Sequence, residues 1–344
     1  MSKLEASGGA TLPAEVVGQE ASGARRWIPW VVSLVVVSWV LWPYRTESGR
    51  EVLLSAFTRA SGWTFVVAVF GTLAIWLSDS FATARTFRRW GTRLGLGETC
   101  LLRGATALFD VINPALGQAV LTMVVYRRGT PLAQTFAVVL LMNMIFLVQI
   151  ALVSGLGLLI GGAPQSPIVP IAVGIALGMA ALYVAALAIR PRALARNATV
   201  AWLMDAGLSG HAAAFLYRLP NVAVLITTQV LYMYCFGIDI PISVALFYLP
   251  AMMFIVGVPV SVQGLGPGQV AAVAFFAAYA DGDRATAEAT VLACAFAATA
   301  LTTFCAALIG FFCMGTETGR SAINSVRGQW RRRPAETSAA ESWS

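Results

Sequence analysis

The stretch LLRGATALFDVINPALGQAVLTMVVYRR, residues 101–128, decides how this chain is arranged. It is apolar enough for a membrane, yet Asn113-Pro114-Ala115-Leu116-Gly117-Gln118 interrupts it at the centre. Proline removes a backbone donor and glycine loosens the helix, so the break frees polar groups that lipid cannot satisfy. Such backbone lies within protein or borders a wet cavity. The segment either crosses the bilayer or dips in and returns, and the surrounding arginines choose between the two. If it crosses, Arg127, Arg128, Arg190, Arg192, Arg196, Arg218 and the Arg331-Arg332-Arg333 run fall outside. If it returns, these become cytoplasmic together with Arg85, Arg88, Arg89 and Arg93. Of the 23 basic residues, only Arg45, Arg50, Arg59 and Arg284 are then outside. Basic residues of short loops concentrate on the cytoplasmic side, which favours a re-entrant hairpin. Arms of roughly 12 residues are about 18 Å long at 1.5 Å per residue, enough to reach mid-membrane and no further.

A second break, Gln263-Gly264-Leu265-Gly266-Pro267-Gly268-Gln269, follows about 150 residues later inside the apolar stretch Ile242–Ala280. This stretch begins outside, after Asp239, and ends outside, at Asp281-Gly282-Asp283. One hairpin or two short spans both return the chain to its starting side. Six further segments are long enough to cross, the first marginally: Trp27–Pro43, Gly62–Ala82, Pro131–Ile160, Ile168–Ile189, Pro220–Phe236 and Ala287–Met314. The fold class is therefore all-α polytopic membrane protein, with about six spanning helices and two re-entrant hairpins.

The order span, hairpin, span occurs twice with opposite orientation, over residues 62–160 and 220–314. Ile168–Ile189 is the connector that inverts the second copy. Inverted repeats with paired breaks are a recurring transporter architecture. Glu47–Ala60 reads either as an interfacial helix or as a solvated loop. Gly174 and Gly178 form a small-xxx-small pair suited to helix packing.

Composition agrees. Hydrophobic residues make up 58% and charged residues 11%, with mean hydropathy +0.76. One transmembrane domain, residues 27–314, fills the chain between a polar cytoplasmic segment (1–26) and a basic cytoplasmic tail (315–344) expected to be disordered. Arg25 and Arg26 hold the start of the first span at the cytoplasmic face, and no cleavable signal is evident. The net charge of +7 comes from one lysine and 22 arginines, mostly in short loops. That pattern fits anionic lipid headgroups and not nucleic acid. Five cysteines and a single histidine, His211, form no metal-ligand pattern. No nucleotide-binding loop or nucleophile elbow is present, so neither enzyme chemistry nor a cofactor is implied.

Ionisable groups at membrane depth are costly and mark function by default. Arg103 and Asp110 sit two helical turns apart on the first hairpin arm and share a face; Asp110 lines a cavity or pairs with an arginine. Arg103, and Asp79 near the cytoplasmic end of its helix, read mainly as residues snorkelling at the interface. At the tips, Asn113, Gln118, Gln263 and Gln269 offer amides, with Asn143 and Gln149 on the following helix. Broken tips also expose half-helix N-termini that favour anions.

At both tips the chain resembles the lysylphosphatidylglycerol synthase transmembrane-region family, also called flippase-like integral membrane proteins. The family's first motif, roughly N-x-x-P-x-x-x-G-E-x-x-R, corresponds to Asn113-Pro114-Ala115-Leu116-Gly117-Gln118 and the turn Tyr126-Arg127-Arg128-Gly129-Thr130-Pro131. The second, roughly P-x-x-x-G-G-x-G-x-x-E, corresponds to Pro259–Gln269. Gln118 and Gln269 stand where the family has glutamate, and Leu121 where it has arginine. The resemblance implies a bacterial inner-membrane protein, with both termini cytoplasmic, that binds and translocates a lipid or lipid-linked molecule. Asn113, Pro114, Gly117, Gln118, Gln263, Gly264, Gly266 and Gln269 would meet the headgroup; Asp110 and Arg103 would line the cytoplasmic entrance. The lost carboxylates argue against a cationic lysyl headgroup, and the soluble aminoacyl-transfer domain of some relatives is missing. The alternative is a non-transporting scaffold for a lipid- or glycan-modifying enzyme. A homo-oligomer or a partner membrane enzyme is compatible with either.

Overall fold

A computed structural model describes residues 31, 34–92, 94–112, 114–161, 168–190, 196–257 and 265–320. Among them the structure is helical: α1 (Leu34–Arg45), α2 (Glu47–Thr58), α3 (Trp63–Arg89), α4 (Leu96–Ile112), α5 (Pro114–Arg127), α6 (Leu132–Gly161), α7 (Ile168–Ile189), α8 (Ala198–Asp205), α9 (Gly207–Cys235), α10 (Ile242–Gly257), α11 (Pro267–Phe276) and α12 (Arg284–Met314). The terminal segments expected in 1–26 and in most of 315–344 lie outside the described residues, as do Asn113, Gln263 and Gly264.

Five helices are long and apolar enough to cross a membrane: α3, α6, α7, α9 and α12. The chain is thus an all-α, multi-pass membrane protein. Two of these helices are longer than their apolar runs. α3 continues past Ala82 to Arg89, and its closing arginines face the negative end of the helix dipole. α9 starts at Gly207 and runs through Pro220, where the sequence reading begins a span. A proline costs one ladder bond, and packing on α3 and α6 carries the helix past it. Residues 47–58 form a helix whose Ala56 is buried, so the loop alternative falls. Gly174 and Gly178 have nothing within 4 Å of a would-be Cβ, so they mark no packing contact among the described residues.

α3 and α9 are antiparallel partners. Ser61 N–H, ahead of α3, donates to Cys235 O at the end of α9 (2.9 Å). At the other end, a Cβ on Gly210 of α9 would lie 3.2 Å from the Trp90 ring, just past α3. These two contacts define the ends of the bundle. The pair α4–α5 closes at the Trp90 end, where Glu98 in the first turn of α4 is ion-paired to Arg128 just after α5. The Gln134 side chain of α6 donates to Trp90 O at the same end. The pair α10–α11 closes at the Cys235 end. There Ile238 bridges Ala280 in antiparallel fashion, and Asp239 N–H donates to Tyr279 O (3.2 Å). The two broken pairs therefore enter from opposite ends.

Their lengths are short of a crossing. At 1.5 Å per residue, α4 and α5 measure about 26 and 21 Å, and α10 and α11 about 24 and 15 Å, against a hydrocarbon core of about 30 Å. Each pair also packs on a long helix distant in the chain: α4 along α12, and α10 along α6. Both contacts need glycine. A Cβ on Gly157 of α6 would strike the backbone of Leu246 and Phe247. A Cβ on Gly310 of α12 would lie 2.6 Å from Leu108 and 3.1 Å from Gly104 O. Ser154, one turn before Gly157, donates to Phe247 O (3.1 Å). Close backbone approach through small residues, sealed by a hydroxyl, is how helices associate in lipid.

Candidate functional site: a buried ion network

The long form of α3 and α9 brings four charges together. Asp79 lies ten residues before the end of α3, and Arg218 lies eleven residues into α9. Antiparallel packing sets them at one level. α4 adds Arg103 and Asp110 from one face, as their spacing of seven requires. Arg103 Nε donates to Asp79 Oδ2 at 2.6 Å. Arg218 Nη1 is 3.5 Å from Asp79 Oδ1, and Arg103 Nη2 is 3.9 Å from Asp110 Oδ2. The side chains of Asp79, Arg103 and Arg218 are each only 13% exposed, and that of Asp110 25%. Two carboxylates thus balance two guanidiniums where a single uncompensated ion would be strongly destabilising.

Neighbouring polar bonds fix the helices beside each charge. Trp76 Nε1, one turn before Asp79, donates to Cys100 O, one turn before Arg103 (3.0 Å). Asn221, one turn after Arg218, donates to Ile75 O (3.3 Å) and Ser78 Oγ (3.2 Å). Arg218 also lies over the Phe146 ring of α6, 5.2 Å from its centroid. The Asp110 carboxylate sits against the first turn of α5, where a Cβ on Gly117 would collide with it. Gly117 is therefore the residue that lets a carboxylate reach the positive end of that helix.

This placement changes several expectations. Asp79 and Arg103 do not snorkel at an interface; they form the tightest pair of the network. Arg218 is not in a cytoplasmic loop. Sequence reasoning missed it because Pro220 passed for a helix start; the signal available was an uninterrupted helical run from Gly207 with one arginine inside it. Asp110 and Arg103 do come together, with Gly117 at the tip. Pro114 opens α5 and is exposed, and Gln118 is half-buried with its carbonyl accepting from Thr122 Oγ1 (2.8 Å).

At the second tip, Gly266 holds φ +94°, which favours glycine, and a Cβ there would lie 2.7 Å from Val36 of α1. Gln269 is buried, and its Oε1 accepts from Gly266 N–H at 2.6 Å. Its amide oxygen thus caps its own helix behind Pro267. Asn143 bonds Val139 O within α6 (3.1 Å). Gln149 ties α6 to Phe215 O of α9 (2.7 Å). His211 links Gly207 O and Tyr183 Oη, both at 2.8 Å. No group of three or more metal-ligating side chains occurs among the described residues.

Helices of membrane length, two short broken pairs and a buried ion network define a polytopic protein with one charge cluster inside an apolar bundle. The chain belongs to the lysylphosphatidylglycerol synthase transmembrane-region family, whose model matches residues 30–310. No curated protein matches it.

Proposed function

We propose that the protein binds a lipid or lipid-linked molecule and translocates it across the bacterial inner membrane. The observation that carries this reading is the pair of broken helices entering from opposite ends of the bundle. Each is too short to cross, and each is flanked by one long helix of its own unit and one of the other. This supports two re-entrant hairpins related by an inverted repeat, α3–α6 and α9–α12, with termini in the cytoplasm. Exchange of α3 with α9, α4 with α10, α5 with α11 and α6 with α12 maps the main helix contacts onto one another. Gly157 and Gly310, each four residues before the end of its helix, fall on each other as well. In such folds the substrate site lies between the repeats near the midplane. On this reading the Asp79–Arg103–Asp110–Arg218 network lines the cytoplasmic approach to that region. The protein acts as a conduit and makes or breaks no covalent bond.

The test is dithionite-accessible transport of fluorescent lipids in liposomes carrying the full chain. Transport above empty liposomes for at least one headgroup class supports the reading; none across anionic and neutral headgroups sinks it in favour of a scaffold. Topology is checked by labelling a cysteine placed at position 128 in a cysteine-free background. The hairpin arrangement requires access from the cytoplasmic side only.

A further inference from the structure

A groove of about 820 Å³ lies between α1, α11 and the start of α12, and none of the four network residues lines it. Val270, Val273, Ala274 and Ala277 border it from one face of α11, at the spacing of successive turns. The other face of α11, with Ala271, Ala272 and Phe276, is buried in the bundle. Val40 of α1 and Leu292 of α12 supply side walls. Five of the lining residues are alanine, which leaves the groove open where larger side chains would fill it. The groove has a direction. Its mouth is at the Cys235 end, where Gly282 and Ala280, the partner of Ile238, border it. Its depth reaches Val270, whose N–H donates to Gly266 O at the second tip (3.0 Å). At 1.5 Å per residue α11 runs about 15 Å, the depth of one leaflet's hydrocarbon. The charged residues of the lining, Arg284 and Glu288, stand in the first turns of α12 and pair with each other at 2.8 Å. Trp39 and Trp42 are exposed beside the mouth, as tryptophans are at a lipid–water boundary.

We infer that this groove is a binding site for one acyl chain of a membrane lipid from the leaflet at the Cys235 end, with the headgroup outside the mouth. Below the mouth the apolar walls give water too few partners to stay. An empty slot of this size would forfeit the dispersion contacts of its lining. A hydrocarbon chain restores them, and in lipid such packing decides association because apolar surface gains nothing from excluding water. The chain is therefore what the site recognises. Its two charged residues satisfy each other, so the mouth carries no net charge and favours no headgroup charge. The inference goes beyond translocation and stands without it.

The full chain in liposomes is photocrosslinked to a phosphatidylcholine or to a diacylglycerol, which has no headgroup. Each lipid carries a diazirine in one chain, placed either at the terminal methyl or next to the glycerol, and labelled peptides are mapped by mass spectrometry. The terminal diazirine should label α11 around Val270 and Val273, and the one near the glycerol should label residues 278–282. Both lipids should give the same pattern. Ala274→Phe fills the groove from α11, where Ala274 is exposed, and Val40→Phe fills it from α1. Each should lower the labelling of α11 at least about fivefold, while labelling at Leu182 on the exposed face of α7 stays unchanged. Altered labelling at Leu182 identifies a variant that does not fold, and the other variant then decides. Labelling of α11 that survives in either folded variant overturns the inference, because lipid then merely surrounds the helix. The same peptides labelled from both diazirine positions also overturn it. So does labelling by phosphatidylcholine without labelling by diacylglycerol, which would make the headgroup the ligand.

Discussion

The two broken helix pairs share a layout and differ in chemistry. α4–α5 carries Arg103 and Asp110 in its first arm and draws Asp79 and Arg218 toward them. α10–α11 contains no ionisable residue other than Tyr248. It is closed by backbone pairing at Ile238–Ala280 rather than by an ion pair, and its tip is organised by a glutamine cap. One pair therefore stores charge at depth, and the other provides an apolar counterface. The lesson is that a shared layout does not require shared chemistry. Packing glycines recur at matching places because helix contact demands them, whereas charges occur once because each buried ion needs its partner nearby.

The largest effect expected from breaking this asymmetry is at Asp79. Asp79→Ala leaves two buried guanidiniums sharing only Asp110 and should cost about 3–5 kcal/mol, read as a fall in apparent Tm of the purified protein. No single polar substitution in α10–α11 should approach it; Gln269→Ala loses a cap, on the order of 1 kcal/mol. Next come the two helix contacts. Gly157→Ala and Gly310→Ala each force a methyl into a packed crossing and should destabilise by about 1–3 kcal/mol. Similar losses for the two sharpen the correspondence between α6 and α12, and a loss at one position alone breaks it. Smaller still is Glu98→Gln at the mouth of the first pair. Its ion pair with Arg128 is half-exposed, worth about 0–1 kcal/mol and weakened by salt.

Much of this was legible in the sequence, because lipid leaves the backbone so few choices. Hydropathy located the long helices, and the Pro/Gly breaks marked both short pairs to within a few residues. Arginine counting favours a hairpin for the first pair, the reading that labelling at position 128 tests. The same counting hid the site. Counting Arg218 among the loop arginines put it outside its helix, and only tertiary packing of α9 on α3 shows that it faces Asp79. Arg103 and Asp110 were visible through their spacing of seven. The partnership with Asp79 depends on contacts between residues 24 apart in α3 and α4, which no local pattern encodes. The tip amides attract attention because they stand where the family has carboxylates, yet Gln269 bonds its own turn.

The smallest expected effect concerns how the closing helices begin. α12 opens with Asp283, whose Oδ1 accepts from Thr286 N–H at 3.0 Å. α6 opens after Pro131 with no acidic residue in its first turn. Hydrogen bonds from the Thr286 side chain and backbone hold the Asp283 carboxyl below its ordinary range. A lowered folded pKa means the cap contributes fully above the unfolded value, about 4, and is lost as pH falls through the folded one. The start of α12 should therefore weaken in acid while that of α6 does not. Asp283→Asn keeps the capping oxygen without the titration, so its Tm should track wild type at neutral pH and show a flatter acid decline. Asp283→Ala should be less stable than both at neutral pH, and its gap from wild type should narrow in acid, where the protonated carboxyl keeps only a neutral capping oxygen. A difference between Asp283→Ala and wild type that is constant from neutral pH into acid would show that the cap acts through shape alone.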